Sequence, residues 1–216
     1  VGLKPGINNA AVDHFRIRVH GKSTHVSTPH LGVDALYIAS QIVVAVQGLV
    51  TRRTSPTEPV IIGIGKLNAG TTYNAVAAFA EMEGTTRTIS QESRDRVRAQ
   101  VSETAQSIAA LYGGTAEVEW TDFAAALVND PQVCEEAARV VDELLGAGHV
   151  VTDRELSLSG DNFAEFELYK PGAYAYLGTG NPDLPHTMIT NHNGGFDVDE
   201  NALVTGAGLY VGYTVA

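Results

Sequence analysis

In the first half of the chain, segments whose apolar residues recur about every two positions, as in strands, alternate with segments whose apolar residues recur three and four positions apart, as in helices. Within residues 11–21 apolar and polar side chains alternate, with Val12, Phe15, Ile17 and Val19 as the apolar positions, which predicts a half-buried strand. Residues 33–53 repeat apolar side chains three and four apart, as in an amphipathic helix, and Arg52 and Arg53 suit its C-terminal end. Two more strands are predicted at about residues 60–70 and 75–89.

A second helix and a closing strand complete this half. Ser90 is a suitable N-cap for a helix that runs to Gly113 and Gly114, and residues 116–120 alternate as a strand does. The resulting order, strand–helix–strand–strand–helix–strand, is the split βαβ arrangement of ferredoxin-like domains. We therefore predict an α+β chain with a ferredoxin-like βαββαβ domain over residues 11–123.

The remaining residues, 124–216, contain fewer regular elements. A helix is predicted at about residues 130–146 and another at 201–215, with Asp197 and Glu200 supplying negative charge near its start. Between them lies a Gly-rich stretch with two short predicted strands, near residues 150–151 and 173–177. This is little material for an independent hydrophobic core.

Composition narrows the possible functions. The 216 residues include 14 Lys and Arg against 25 Asp and Glu, a formal charge of −11, and 44% are hydrophobic. The acid excess argues against nucleic-acid and anionic-membrane partners. The basic residues are scattered and are densest at Arg52–Arg53 and at Arg94, Arg96 and Arg98. The single cysteine, Cys134, excludes an intrachain disulfide framework and fits a cytoplasmic location. The start at Val1 leads us to expect that a preceding segment is missing.

Individual residues do not complete an active site. Seven histidines are present, but none shows the HExxH spacing or a zinc-finger spacing. His25 and His30 lie in a strand-to-helix loop and His192 in a flexible segment before the last helix, so these two segments are the better candidates for function. The GxG triplets at 63–65 and 178–180 are interpreted as turns, and Cys134 as a small core residue.

Four stretches carry a family resemblance. They are FRIRVHGKSTHVSTPHLGVDALYIASQIV, IIGIGKLNAGTTYNAVAAFAEMEGTTRT, SGDNFAEF with the KPGAYAYLGTGN that follows it, and HNGGFDVDE. In order and spacing they resemble the metal-dependent N-acyl-amino-acid amidohydrolases, a group that includes hippurate hydrolase, aminoacylase and the carboxypeptidase G type of metallopeptidase.

The resemblance implies a domain organisation. Residues 11–123 would be the inserted lid and dimerisation domain, residues 124–216 the C-terminal portion of an α/β zinc-peptidase catalytic domain, and residues 1–10 the tail of its N-terminal part. About half of the family's chain, with most metal ligands and the general base, would then be absent here.

The resemblance also implies roles for five residues. His192 matches the last metal ligand, and His25 matches a lid histidine that reaches the partner subunit's active site and stabilises the oxyanion. Asn74 matches a lid asparagine that helps to hold the substrate's carboxylate or oxyanion, and Gly172 matches a turn beside the substrate carboxylate. Arg87 matches a lid arginine that serves lid packing or substrate binding. The chain would form a homodimer through the lid.

The expected activity is hydrolysis of N-acyl amino acids or peptide-like amides by water activated on two divalent ions, zinc or manganese, in the full-length enzyme. The chain by itself would bind no metal stably and would be inactive.

Asp161 and Asn162 depart from the family's usual Glu-Asp pair, and Gly194 makes the loop after His192 looser. Two alternatives remain: a non-catalytic dimerisation module that pairs through the strand at 75–89 or its neighbouring helix, and a small-molecule-binding regulatory domain.

Overall fold

A four-stranded antiparallel sheet with two helices on one face dominates the computed structural model, which describes residues 1–215. The strands are β1 (Gly6–Asn9), β2 (Ala11–His20), β3 (Ile61–Ala69), β4 (Phe79–Thr88), β5 (Thr115–Ala124) and β6 (Leu127–Asn129). The helices are α1 (Ala35–Arg53), α2 (Gln91–Leu111), α3 (Pro131–Leu145), α4 (Ala164–Glu167) and α5 (Asn201–Val215), with 3-10 turns at Pro29–Leu31 and Pro185–Met188. Two compact units divide these elements.

The larger unit comprises Asn9–Ala126 and Ser157–Asn162. Its sheet has the order β3-β4-β2-β5, so the predicted ferredoxin-like arrangement is confirmed. Phe15 on β2 pairs with Gly84 on β4 and with Trp120 on β5, and its ring is fully buried. A Cβ atom on Gly84 would lie 2.3 Å from the Cζ of Phe15, which explains a glycine inside this strand.

Both helices of this unit bury one face against the sheet. Helix α1 contributes Ile38, Ile42 and Val46 to the hydrophobic core, and α2 contributes Val97 and Val101. Among the described helices α1 is the one long and apolar enough to cross a membrane, but core helices pass the same test. Its buried face within this core accounts for its apolar composition.

Both helices of this unit have a side-chain N-cap, of which the one on α2 was predicted from the sequence. The Asp34 side chain accepts hydrogen bonds from the backbone N–H groups of Leu36 and Tyr37 at the start of α1. The Ser90 side chain accepts one from the N–H of Ser93, as the sequence predicts. Each bond satisfies a donor that the first helical turn leaves without a partner.

The structure corrects details of the strand predictions. β4 begins at Phe79 rather than at residue 75, and β5 continues to Ala124. The triplet at 63–65 is part of β3, where a register shift falls between Ile64 and Lys66, so the turn interpretation was wrong there. Pairing with β4 satisfies the backbone of this segment and overrides the local preference of glycine for turns.

The sheet face opposite the helices carries alternating charges. Arg18 on β2 contacts Glu81 on β4 at 3.1 Å and Glu119 on β5 at 2.6 Å. Glu83 accepts hydrogen bonds from Lys66 and His14, which lower its pKa to about 2. Cross-strand pairs of opposite charge suit a face that is not covered by helices.

The second unit comprises Val1–Asn8, Leu127–Leu156 and the described residues from Phe163 onwards. Here α3 and α5 pack together closely because α5 has glycines at the contact. A Cβ atom on Gly208 would lie 2.9 Å from Leu144, and one on Gly212 would lie 2.6 Å from Val140. The helix predicted at 201–215 is confirmed, and Cys134 is buried as expected.

The two short strands predicted in this unit do not form. Gly2 makes single β-bridges to Val151 and Tyr176, and neither partner belongs to a strand. Instead β1 and β6 pair as a two-stranded sheet that the sequence prediction missed. Strands this short have too few residues to show a period, so only the long-range pairing identifies them.

Candidate functional site

The loop after β2 and the segment before β4 run side by side. His25 forms a β-bridge with Ala75. The N–H of Val26 donates to the carbonyl of Asn74 at 3.2 Å, and the N–H of Val76 donates to the carbonyl of Thr24 at 2.8 Å. The structure therefore places His25 and Asn74, 49 positions apart in the sequence, on hydrogen-bonded neighbouring segments.

The hydrogen bonds of His25 fix the position of its ring proton. The backbone N–H of Ser27 donates to Nδ1 of His25 at 3.2 Å, and the Ser27 hydroxyl lies 2.7 Å from the same nitrogen. Since a backbone N–H can only donate, Nδ1 is an acceptor, and this network assigns the proton of the neutral ring to Nε2. The side chain is exposed, and no described residue accepts from Nε2. His25 therefore presents a free N–H donor.

Asn74 also has donor capacity to spare. The Thr72 hydroxyl donates to its Oδ1 at 3.3 Å, and no described residue accepts from Nδ2. Because a hydroxyl can also accept, the opposite amide orientation would use one N–H of Nδ2 and still leave the second N–H without an acceptor. Asn74 and His25 thus offer two uncommitted N–H donors on adjacent segments. Donors of this kind stabilise negative charge on a carboxylate or on a developing oxyanion.

Arg87 lies elsewhere on the same unit. It is at the far end of β4 and pairs with Val12 and Ile61 on the neighbouring strands. The segment carrying Asn74 precedes the other end of β4, so at about 3.3 Å per residue the strand separates the two by roughly 25 Å. The structure does not bring Arg87 to His25 and Asn74, and its role in substrate binding stays a prediction.

Gly172 belongs to the second unit, at the wall of a cavity of about 410 Å³ lined by residues 128–131 and 167–172. Its carbonyl accepts the N–H of Asp130 at 2.8 Å. A Cβ atom on Gly172 would lie 3.3 Å from Glu167 and 3.4 Å from Phe163, so a larger residue would need both neighbours to shift. The predicted contact with a substrate carboxylate is not tested by this geometry.

Glu167, at the same cavity, was not identified from the sequence. Its Oε2 accepts the backbone N–H of Val128 at 2.9 Å, and its Oε1 is buried without a hydrogen-bond partner. Burial raises the pKa of this carboxyl group above its usual value, and the bond from Val128 offsets part of that rise. Sequence reasoning missed Glu167 because its position on the one-turn helix α4 shows no helical period.

His192 lies in the exposed loop before α5. Its φ of 61° is left-handed, and it is the one non-glycine residue with a positive φ among residues 1–215. Such backbone conformations are found more often at functional sites than elsewhere, and histidine tolerates them better than most residues. In the same part of the chain, Nε2 of His186 lies 3.8 Å from Oδ2 of Asp197.

The described residues do not complete a metal site. No group of three or more His, Cys, Asp and Glu side chains within residues 1–215 is arranged to hold an ion. A hydrolytic metal centre needs about three protein ligands per ion. Among the described residues His192 could supply one ligand, and a single ligand does not by itself hold an ion.

A protein-family match covers the segment that carries three of the predicted site residues. The family model described as "Peptidase dimerisation domain" matches residues 10–112, which include His25, Asn74 and Arg87. Its limits fall within the larger compact unit.

Two curated relatives match nearly the whole chain. An N-acetyl-L-cysteine deacetylase from Bacillus subtilis is 34% identical over 204 residues, 94% of this chain and 47% of the relative. Thermostable carboxypeptidase 1 from Saccharolobus solfataricus is 34% identical over 199 residues, 92% of this chain and 49% of the relative. The chain thus spans about half the length of these relatives.

A solved structure extends the likeness to three dimensions. The Bacillus subtilis YXEP protein, described as a dinuclear metal binding peptidase of the M20 family, matches with a TM-score of 0.79 and 28% identity. The match covers 99% of this chain and 52% of that protein. Residues 10–112 thus belong to the peptidase dimerisation domain family, and the chain as a whole is similar to an M20 peptidase and to deacetylase and carboxypeptidase relatives about twice its length.

Proposed function

We propose that the chain is part of a metal-dependent hydrolase that cleaves N-acyl amino acids or peptide-like amides. The observation that carries this proposal is the pair of free N–H donors on His25 and Asn74, which lie on neighbouring, hydrogen-bonded segments of a peptidase dimerisation domain. The names of the relatives, a deacetylase and a carboxypeptidase, point to the same reaction class.

In this proposal His25 donates from Nε2 to the oxygen of the amide carbonyl as negative charge develops on it. Ser27 holds the ring in the tautomer that this donation requires. Asn74 donates from Nδ2 to the same oxygen or to the substrate's free carboxylate. Loss of one such donor typically lowers kcat by a factor of about 10² to 10³.

The metal ions, zinc or manganese, would activate the attacking water in the complete enzyme. His192 is the residue that this chain offers toward them. Since the other ligands do not occur among the described residues, no step of the reaction is assigned to a metal held by this chain alone.

We further propose a homodimer that forms through the edge strand β3. The alternative that the strand at 75–89 pairs with a copy of itself was wrong, because β4 is hydrogen-bonded to β2 and β3 on its two sides. The free edges belong to β3 and β5. β5 carries Glu117, Glu119 and Asp122, which oppose pairing with a second copy, whereas Lys66 is the one charged residue of β3.

Exposed apolar residues support the view that the second unit packs against further polypeptide. No described residue of α5 is buried, although the helix contains no charged side chain. A cavity of about 490 Å³ beside it is lined mainly by apolar residues of α3, α5 and residues 171–177. A helix that is apolar on all sides is normally covered, and the relatives are about twice as long as this chain.

Hydrolysis assays on the natural protein that carries this chain test the proposed reaction. We expect turnover of N-acetyl amino acids or hippurate, and a loss of about 10² to 10³ in kcat for His25→Ala. His30, exposed in the same loop, provides the matched control, and His30→Ala should stay close to wild type. Equal activity of both variants would contradict the role of His25, and absence of turnover in the wild type would contradict the function.

Light scattering after size exclusion tests the dimer. Leu67→Glu places a charge on the exposed edge strand β3, and we expect it to shift the protein toward monomer. Phe123→Glu makes the same change on β5 and should leave the dimer intact. The β3 assignment fails if Phe123→Glu dissociates the dimer and Leu67→Glu does not.

A cytoplasmic location is part of the proposal. The lone cysteine, Cys134, is buried and free, as suits a reducing compartment.

A further inference from the structure

A cavity of about 330 Å³ lies beside the segment that carries Asn74. Its apolar wall is formed by Val26, Leu36, Tyr73, Ala75, Val76 and Ala77. Val26 is joined to Asn74 by a backbone hydrogen bond, and Ala75 is the bridge partner of His25. The lining therefore includes the chain neighbours of both His25 and Asn74, although these two residues are not themselves part of it.

Tyr73 is the least packed large side chain at this cavity. It is 95% exposed, and no ring among the described residues stacks on it. Val26 and Leu36, on the same wall, are 46% and 49% exposed. An aromatic ring and two aliphatic side chains left open in a cavity that also has a few polar groups are typical of a small-molecule site.

The polar groups of the cavity limit what it can receive. Thr71 and Thr72 contribute uncharged hydroxyl groups, and Asp34 is the one charged residue of the lining. The Asp34 carboxylate caps α1 through the N–H groups of Leu36 and Tyr37. Its negative charge disfavours a second carboxylate in the cavity, so an uncharged apolar group is the occupant that fits.

We propose that this cavity binds the apolar acyl group of the substrate and that Tyr73 determines the preference for a large acyl group, aromatic or branched. The inference rests on the proposed function, because His25 and Asn74 would hold the amide oxygen and the carboxylate of the same molecule. The carboxylate then stays with the donors while the acyl group contacts Tyr73, Val26 and Leu36.

Paired substrates test this assignment in the natural protein that carries the chain. We expect N-benzoylglycine to be hydrolysed with a higher kcat/KM than N-acetylglycine. Tyr73→Ala should lower kcat/KM for the benzoyl substrate by about 10- to 100-fold and change the acetyl substrate by less than about threefold. Tyr73→Phe keeps the ring and should retain the wild-type preference. Equal losses for both substrates, or none, would overturn the assignment.

Failure of the proposed function is distinguishable from failure of this inference. If the wild type hydrolyses neither substrate, the proposed reaction is wrong. Whether the cavity binds an apolar acyl group is then tested by a binding measurement. Titration of the protein with N-benzoylglycine should shift the ring-proton NMR signals of Tyr73, and N-acetylglycine should shift them less. Signals that do not move with N-benzoylglycine would overturn the assignment of the cavity.

Discussion

Replacement of Asp13 by alanine should destabilise the larger unit more than any single surface change. Asp13 on β2 is 1% exposed and accepts hydrogen bonds from two arginines of α2. Nη2 of Arg94 lies 2.6 Å from its Oδ1, and Nε of Arg98 lies 3.0 Å from its Oδ2. The arginine-rich segment of the sequence is thus committed to attaching α2 to the sheet, rather than available to an anionic partner.

The size of the effect follows from burial. Asp13→Ala leaves the Arg94 guanidinium, whose side chain is 7% exposed, without its main counter-ion. Removing one partner of a buried ion pair costs about 3–5 kcal/mol, because the remaining charge stays desolvated. Asp122 provides the control, since it contacts Arg98 but is 71% exposed, and Asp122→Ala should cost less than about 1 kcal/mol.

Urea unfolding followed by tryptophan fluorescence measures this difference. Trp120 is the single tryptophan of the chain and packs against Phe15 with ring centroids 5.2 Å apart, so its signal reports the larger unit. With a denaturant slope of about 2 kcal/mol per molar, Asp13→Ala should lower the midpoint by about 2 M. If Asp13→Ala and Asp122→Ala shift the midpoint equally, the buried pair does not contribute as argued.

Acid titration gives an independent check of the same cluster. Burial alone would raise the pKa of Asp13, but hydrogen bonds and charges from Arg94 and Arg98 outweigh it and hold the pKa below 3.8. A carboxylate with a lowered folded-state pKa contributes stability above its unfolded pKa and loses it as the pH falls through the folded value. In the Asp13→Asn variant the free energy of unfolding should therefore fall less steeply below about pH 4 than in the wild type. The same pH dependence in both proteins would contradict the proposed contribution of the Asp13 carboxylate.

Three further outcomes are expected. Gly160→Ala should destabilise the larger unit by about 1–3 kcal/mol, measured by the same urea unfolding, because a Cβ atom there would lie 2.4 Å from the Cγ2 of Val12. Ser90→Ala should cost about 1 kcal/mol in that assay through loss of the cap bond to Ser93, and Ser90→Asp should retain most of the stability. Elemental mass spectrometry of the purified, unchelated chain should find well under one transition metal per chain, since His192 offers one ligand. The same sample should not hydrolyse hippurate in an activity assay. About two metals per chain would show that a complete site is present.

The sequence by itself determined the regular elements of the larger unit. Apolar periods near 2 and 3.6 are local properties, so β2, α1 and α2 were predicted within one or two residues of their bounds. The N-cap at Ser90 and the end of α2 before Gly113 were also predicted, because both depend on residues within the first or last turn of that helix. The family motifs likewise singled out His25, Asn74 and His192 without any knowledge of their surroundings.

The tertiary structure decided everything that depends on contacts between distant residues. It made β4 an inner strand and left β3 free, although both segments have strand-like patterns. It also joined Asp13 to Arg94 and Arg98, separated Arg87 from Asn74 along β4, and placed Tyr73 at an open cavity. Strand order, desolvation and the hydrogen-bond state of a ring such as His25 are set by atoms that are far apart in the chain, so no local pattern encodes them.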